Sequence, residues 1–116
     1  MPHIHLETTA DLPENAHIPD ILEALLSRLA GFETISSPSL KAYHTLRSVW
    51  CMGEGAPPGI AHCTVSILEG RPLELRKSIS DAMYEVMRTS FRESLDADEV
   101  SLTLELRQMD PQTYRK

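Results

Sequence analysis

The sequence predicts an α+β fold made of two β-α-β units in tandem, with the elements in the order β-α-β-β-α-β. In two segments the apolar residues recur every three or four positions, which is typical of a helix with one buried face. In four others they alternate with polar residues, which is typical of a strand with one buried face. We therefore expect a four-stranded sheet with both helices on one face. The other face would lie open to water or to other subunits.

The first unit begins with the segment MPHIHLETT, in which Ile4 and Leu6 alternate with polar neighbours and predict the first strand. Pro2 fits there because proline is tolerated at the first residue of a strand. The first helix begins near Ile18 and ends near Gly31. Its apolar stripe consists of Ile18, Ile21, Leu22, Leu25, Leu26 and Leu29.

A turn rich in serine and proline separates this helix from the second strand, in the segment SSPSLKAYHTLRSVW. One side of that strand carries Leu40, Ala42, His44 and Leu46, and the other side carries Lys41, Tyr43, Thr45 and Arg47. The cluster GEGAPPG then interrupts the chain, as glycine and proline do between elements. The following segment, IAHCTVSIL, predicts the third strand.

The turn EGRP precedes the second helix, and Pro72 suits its first turn because the fixed φ of proline matches a helix. The apolar stripe of this helix consists of Leu75, Ile79, Ala82, Met83, Val86 and Met87. The segment VSLTLEL alternates strictly between apolar and polar residues and predicts the fourth strand. We expect the tail QMDPQTYRK to be loosely attached.

The composition limits the classes of protein to which the chain can belong. With 116 residues, of which 41% are hydrophobic, we expect a single domain over residues 1–116 with one core. A net charge of −6 argues against a general nucleic-acid-binding protein. No apolar run approaches the roughly 20 residues of a membrane helix, and no signal peptide is evident. We therefore expect a cytoplasmic protein that does not bind membranes.

Neither the cysteines nor the histidines predict a metal site. The two cysteines do not form a CxxC pair, and we expect both to be free thiols. His3 and His5 point to one side of the first strand, and His44 and His62 could lie nearby. No carboxylate or cysteine stands at a matching spacing, so we expect no bound metal.

Several features of the sequence resemble the 5-carboxymethyl-2-hydroxymuconate isomerase family of the tautomerase superfamily. They are Pro2 at the start of a strand, the duplicated β-α-β plan, the phrase GRPLELR with Arg71 before the second helix, and the segment Trp50-Cys51-Met52-Gly53. The resemblance covers most of the chain and implies a tautomerase-like fold, a homotrimer and a role in the catabolism of aromatic compounds. It also implies an isomerase that moves a proton along an unsaturated hydroxy or oxo di- or tricarboxylic acid.

The same resemblance implies roles for individual residues. Pro2 at the N-terminus would be the general base, and Arg71 would bind a carboxylate of the substrate. Lys41 stands where the family pattern has an arginine, and Tyr43 stands two residues further on, where another arginine could be. We expect both to contact the substrate, although lysine lacks the planar fork with which arginine binds a carboxylate. Arg47 lies about 20 Å along the strand from Lys41 and could serve only a neighbouring subunit's site.

A free proline amine suits the role of a base near neutral pH. An α-amino group has a pKa of about 7.7 to 8.0, and nearby cations or an apolar wall lower it. Removal of Met1 is required, because a proline nitrogen in a peptide bond has no useful basicity. We expect this removal because the second residue is small. The proton shift needs no metal or other cofactor, and Arg71 would stabilise the developing dienolate.

Two alternatives remain open at this point. One is another chemistry of the tautomerase superfamily, a dehalogenase or a decarboxylase, in which protonated Pro2 acts as an acid. The other is a non-catalytic trimer that binds small acids. The sequence does not identify the natural substrate.

Overall fold

The structure, a computed structural model, describes residues 2–116, so the expected removal of Met1 concerns a residue outside the described part. The predicted order of strands and helices is confirmed, with one short α-helix added before the last strand and two 3-10 turns added, over Pro13–His17 and Ser37–Ser39. The elements are β1 (His3–Thr9), α1 (Ile18–Ala30), β2 (Lys41–Arg47), β3 (Gly59–Leu68), α2 (Leu73–Ser90), α3 (Arg92–Asp96) and β4 (Val100–Met109).

The four strands form one mixed sheet in the order β2-β1-β3-β4. Each β-α-β unit contributes a parallel pair, β1 with β2 and β3 with β4, because a helical crossover returns the chain in the same direction. The two units are joined by antiparallel pairing of β1 with β3. At the start of β1, His3 therefore lies between Lys41 of β2 and Ser66 of β3.

The core lies between one face of the sheet and the two long helices. Alternate residues of the central strands are fully buried there, together with the inward faces of the helices, which confirms the predicted stripes. The strands contribute Ile4, Leu6, Ala61, Cys63, Val65 and Ile67, and the helices contribute Ile21, Leu25, Leu29, Ile79, Met83 and Met87. Leu22, Leu26, Leu75 and Val86 are only partly buried at the edges of these stripes.

The opposite face of the sheet, which we call the open face, carries no helix within residues 2–116 and is rich in polar side chains. Its residues are the alternate set on each strand, which the pleat directs away from the core. They include His3, His5 and Glu7 on β1, Tyr43 and Thr45 on β2, His62 and Thr64 on β3, and Thr103, Glu105 and Arg107 on β4.

A buried carboxylate joins α3, a short helix that the sequence analysis missed, to the segment between β1 and α1. Glu14 lies in a 3-10 turn over Pro13–His17 and is 5% exposed. It accepts hydrogen bonds from the backbone N–H of Ser94 at 3.0 Å and from the Ser94 hydroxyl at 2.6 Å. Because the first N–H groups of a helix have no partner within the helix, this carboxylate satisfies a donor that would otherwise be buried unpaired.

The expectation of a loosely attached tail is wrong. β4 continues to Met109, whose carbonyl accepts a hydrogen bond from the N–H of Glu69 at 3.1 Å. Further on, the hydroxyl of Tyr114 lies 2.9 Å from Nε2 of His3. The tail is therefore bound back onto the start of β1, on the open face.

None of the helices in the described part of the chain combines the length and the apolar composition that a bilayer span needs.

We expect Gly59→Ala to lower the free energy of unfolding by about 1 to 3 kcal/mol, because the added methyl group overpacks the entry to β3. A Cβ atom at this position would lie 2.8 Å from Oδ2 of Asp11, 2.8 Å from Cδ2 of Leu12 and 3.0 Å from the Glu99 carbonyl. Urea denaturation measures the change. Gly53→Ala is the matched control, since a Cβ there meets nothing within 4 Å. Equal stability of the two variants would contradict the predicted clash.

Candidate active site

A cavity of ≈ 160 Å³ lies beside the start of β1. It is lined by Pro2, Thr34, Ile35, Ser36, Ser39, Leu68 and Arg71. The lining comes from three places in the chain: the residue before β1, the loop from α1 to β2, and the end of β3 with the turn that follows it. The structure thus brings together Pro2 and Arg71, which the sequence analysis named as base and carboxylate ligand.

Strand pairing holds Pro2 in the wall of this cavity. Its carbonyl oxygen accepts a hydrogen bond from the backbone N–H of Lys41 at 3.2 Å, which continues the pairing of β1 with β2. Pro2 is buried, and the side chains of Ile35 and Leu68 give the cavity apolar walls. The proline ring is therefore placed by the backbone of two strands.

Arg71 reaches the cavity from the turn after β3. Gly70 in that turn has a φ of 126°, a left-handed conformation that glycine adopts easily because it has no Cβ. The guanidinium of Arg71 donates from Nε to Oγ1 of Thr34 at 3.0 Å and from Nη2 to the carbonyl of Thr34 at 2.8 Å. Its Nη1 donates to the carbonyl of Leu68 at 3.2 Å.

The hydrogen-bond acceptors that the Arg71 guanidinium contacts are all neutral oxygens. The three ion pairs found among residues 2–116 involve other arginines. The guanidinium is thus fixed in position while its charge is left without a carboxylate partner in the described chain. Such a group is suited to binding an anion in the cavity, because hydrogen bonds from an ionised donor to a carboxylate are strong and directional.

Lys41 lies at the rim of the cavity rather than in its lining. Its side chain is exposed, and Nζ donates to the carbonyl oxygen of Ser39 at 3.2 Å. Ser39 itself lines the cavity. The positive charge of Lys41 therefore lies within hydrogen-bond distance of a residue of the cavity wall.

Tyr43 lies on the open face, outside the cavity lining, in a cluster formed by His3, His5, Tyr43 and Tyr114. The Tyr43 hydroxyl lies 3.3 Å from Nδ1 of His3, and the Tyr114 hydroxyl occupies the other ring nitrogen. Burial, assisted by the positive charge of Lys41, lowers the pKa of His3. A neutral imidazole between two phenols can donate with one nitrogen and accept with the other.

Sequence reasoning missed Thr34, Ser36 and Ser39 as parts of this site. A topological signal could have found them. Because β1 and β2 are parallel, the loop that enters β2 must lie beside the residue that enters β1. The same reasoning applies to Leu68, since β3 is antiparallel to β1 and ends where β1 begins.

Arg47 lies at the far end of β2 from the cavity. It forms an ion pair with Glu7, with Nε donating to Oε2 at 3.0 Å. Hydrogen bonding to Arg47 lowers the pKa of Glu7, because the bond favours the charged carboxylate. Arg47 therefore takes no part in the cavity of its own chain.

Of the four histidines named in the sequence analysis, His3, His5 and His62 lie on the open face of the sheet and His44 lies on the other face. His44 faces the helix side of the sheet, where its Nε2 lies 2.7 Å from Oγ1 of Thr8, whereas His3 and His5 lie on the open face. In the part of the chain that is described, no group of three or more His, Cys, Asp or Glu side chains is arranged to hold a metal ion. Both cysteines are free thiols, as expected, and burial raises the pKa of Cys63 to about 12.

Comparison with known proteins places the chain among isomerases. Residues 2–116 match the sequence pattern of the family "5-carboxymethyl-2-hydroxymuconate isomerase". The 5-carboxymethyl-2-hydroxymuconate Delta-isomerase of Escherichia coli is 23% identical over 112 residues, which covers 96% of this chain and 89% of that protein.

Solved structures agree with this result. A 5-carboxymethyl-2-hydroxymuconate isomerase from Deinococcus radiodurans R1 superposes with a TM-score of 0.90 at 25% identity, covering 99% of this chain and 87% of that one. A protein described as a "Q0 fused 4-OT wild type symmetric trimer" shares the fold, with a TM-score of 0.66 at 19% identity over 93% of this chain and 85% of its own.

Proposed function

Because the chain belongs to the 5-carboxymethyl-2-hydroxymuconate isomerase family and is an isomerase, we propose that it moves a proton along an unsaturated organic acid. This acid is a hydroxy or oxo di- or tricarboxylic acid, and 5-carboxymethyl-2-hydroxymuconate is the first substrate to test. One observation carries this proposal. The cavity is lined both by Pro2 and by Arg71, whose charge has no carboxylate partner within residues 2–116. A base beside a fixed cation is what a proton shift on an anionic acid requires.

In this proposal Pro2 is the general base, acting after Met1 has been removed. Its nitrogen is then a secondary amine, and its buried position near the positive charge of Arg71 favours the neutral form over the ammonium form. The neutral amine takes the proton of the substrate's 2-hydroxyl and returns it to a carbon further along the conjugated chain. The step involves no redox change and no group transfer, so an amine and a guanidinium suffice for it.

Arg71 supplies the electrostatic part of the mechanism. It binds one substrate carboxylate and stabilises the dienolate that forms while Pro2 holds the proton. The whole protein carries a net charge of −6, which repels anions at long range. A local, partly buried cation is therefore needed for an acidic substrate to bind.

Lys41 and Tyr43 complete the proposed substrate contacts. We propose that Lys41, whose Nζ donates to the carbonyl of Ser39, meets a second carboxylate that extends out of the cavity. As a compact charge on a flexible stem, it tolerates more than one position of that carboxylate. Tyr43 lies outside the cavity of its own chain. In this proposal it contacts the substrate only in an assembly, where another copy of the chain covers the open face.

We further propose that the protein is a homotrimer in the cytoplasm. A neighbour that shares the fold is described as a symmetric trimer. Three copies arranged with closed cyclic symmetry would cover the open face that the helices leave uncovered. Leu46, near the end of β2, is 51% exposed, and Val49, two residues after β2, is 92% exposed; a neighbouring copy could bury these apolar side chains.

We expect Arg71→Ala to lower kcat/KM for 5-carboxymethyl-2-hydroxymuconate by roughly 10- to 150-fold, the loss that follows removal of hydrogen bonds to a charged group. The decay of the substrate's ultraviolet absorbance measures the rate. Arg88→Ala is the matched control, because Arg88 is exposed on α2 and pairs with Glu85 at 3.3 Å. Unchanged kinetics in Arg71→Ala would remove this residue from the site. Release of halide or carbon dioxide from other substrates would instead indicate the dehalogenase or decarboxylase alternative.

We expect activity to depend on a free amine at Pro2. Intact mass should show that active protein lacks Met1, and the rate should rise with pH through an apparent pKa below the usual 7.7 to 8.0 or so of an α-amine, as the amine loses its proton. A Gly-Ser extension before Pro2 should abolish turnover while circular dichroism remains unchanged. An active preparation that fully retains Met1 would rule out this mechanism.

We expect light scattering at micromolar concentration to give a mass of about three times the 13.0 kDa of one chain. A monomer mass under these conditions would end the proposal of a trimer, and a dimer mass would require a different way of covering the open face.

A further inference from the structure

We infer that Thr34 is a positioning residue that holds the guanidinium of Arg71 ready to bind one carboxylate in the cavity. Thr34 contacts Arg71 twice, through its hydroxyl to Nε at 3.0 Å and through its carbonyl to Nη2 at 2.8 Å. Within residues 2–116, no other residue accepts two hydrogen bonds from this guanidinium. The inference rests on the proposed function for the class of ligand, an anionic acid.

The number of donors on Arg71 defines what it can bind. A guanidinium has five N–H donors, and the three hydrogen bonds to Thr34 and Leu68 use one donor on each nitrogen. One N–H therefore remains on Nη1 and one on Nη2. Two donors on neighbouring nitrogens match the two oxygens of one carboxylate. Arg71 can thus bind a single carboxylate without giving up the contacts that hold it.

Fixing the guanidinium in advance increases affinity. An unrestrained arginine side chain loses rotamer freedom when it binds a ligand, and this loss weakens binding. The hydroxyl of Thr34 restrains Nε, which lies closest to the aliphatic part of the side chain, and so limits rotation of the whole planar group. Thr34 removes much of the entropy loss before the ligand arrives.

The position of Thr34 is set by its neighbours and not by its own hydroxyl. Ile35 is 7% exposed and anchors the loop in the core. The N–H of Ile35 donates to the Phe32 carbonyl at 3.0 Å, which closes a turn around Thr34. Thr34 itself is exposed. Replacing its hydroxyl with a methyl group should therefore change the orientation of Arg71 while leaving the fold intact.

The experiment measures binding of cis,cis-muconate by calorimetry, because this conjugated dicarboxylate lacks the 2-hydroxyl and binding can be measured without turnover. We expect Thr34→Val to weaken binding roughly 5- to 20-fold and Thr34→Ser, which keeps the hydroxyl, to restore it to within about 2-fold. Thr89→Val, at an exposed threonine of α2 outside the cavity lining, is the matched control and should bind as the wild type does.

Coupling to Arg71 separates positioning from direct contact. If Thr34 acts only through the guanidinium, Thr34→Val should cause no further loss of affinity in an Arg71→Ala background. A loss of equal size in both backgrounds would show that the hydroxyl contacts the ligand directly and would overturn the inference. Wild-type affinity in Thr34→Val would overturn it as well.

The test distinguishes this inference from the proposed function. Binding of muconate with the expected coupling, but no turnover of 5-carboxymethyl-2-hydroxymuconate, would overturn the isomerase mechanism and leave the role of Thr34 supported. Failure of the wild-type protein to bind muconate would remove the carboxylate site, and the role of Thr34 with it.

Discussion

The pairing of β1 with both of its neighbours is the constraint on which the rest of the structure depends. β1 is parallel to β2 and antiparallel to β3, so the loop that enters β2 and the turn that leaves β3 both lie beside the first residues of the chain. This geometry places Thr34 and Arg71, which are hydrogen-bonded to each other, in the lining of the same cavity as Pro2. A one-residue slip in either pairing would turn the buried set of side chains on β1 outward, so burial of Ile4 and Leu6 also fixes the cavity.

The same arrangement explains how an acidic protein can keep an arginine without a carboxylate partner among the described residues. Arg71 is held by two carbonyl oxygens and one hydroxyl, which engage three of its five donors without neutralising its charge. By contrast, Arg47 at the other end of the sheet is paired with Glu7. The difference between these two arginines lies in their partners, and it makes Arg71 the one suited to bind an anion.

The open face carries a second set of contacts around the start of β1. The tail returns Tyr114 to His3, and β2 brings Tyr43 to the same ring. Pro2 is therefore held in two ways. Its carbonyl accepts a hydrogen bond from the N–H of Lys41, and the side chain of the next residue, His3, contacts Tyr114 and Tyr43. In the proposed trimer this face would meet other copies, so the supports of Pro2 would become part of an interface between subunits.

Most of the fold was predictable from the sequence by itself, because helices and strands with one buried face leave a periodic pattern of apolar residues. That pattern placed α1, α2 and the four strands, and the resemblance to a family singled out Pro2 and Arg71. Three features were decided only by the tertiary structure: the hydrogen bonds of Thr34 to Arg71, the return of Tyr114 to His3, and the contact of Glu14 with Ser94. Each joins residues far apart in the chain, or a loop to a turn, and such contacts leave no periodic signal in the sequence. They depend on where strand pairing brings the ends of the elements together.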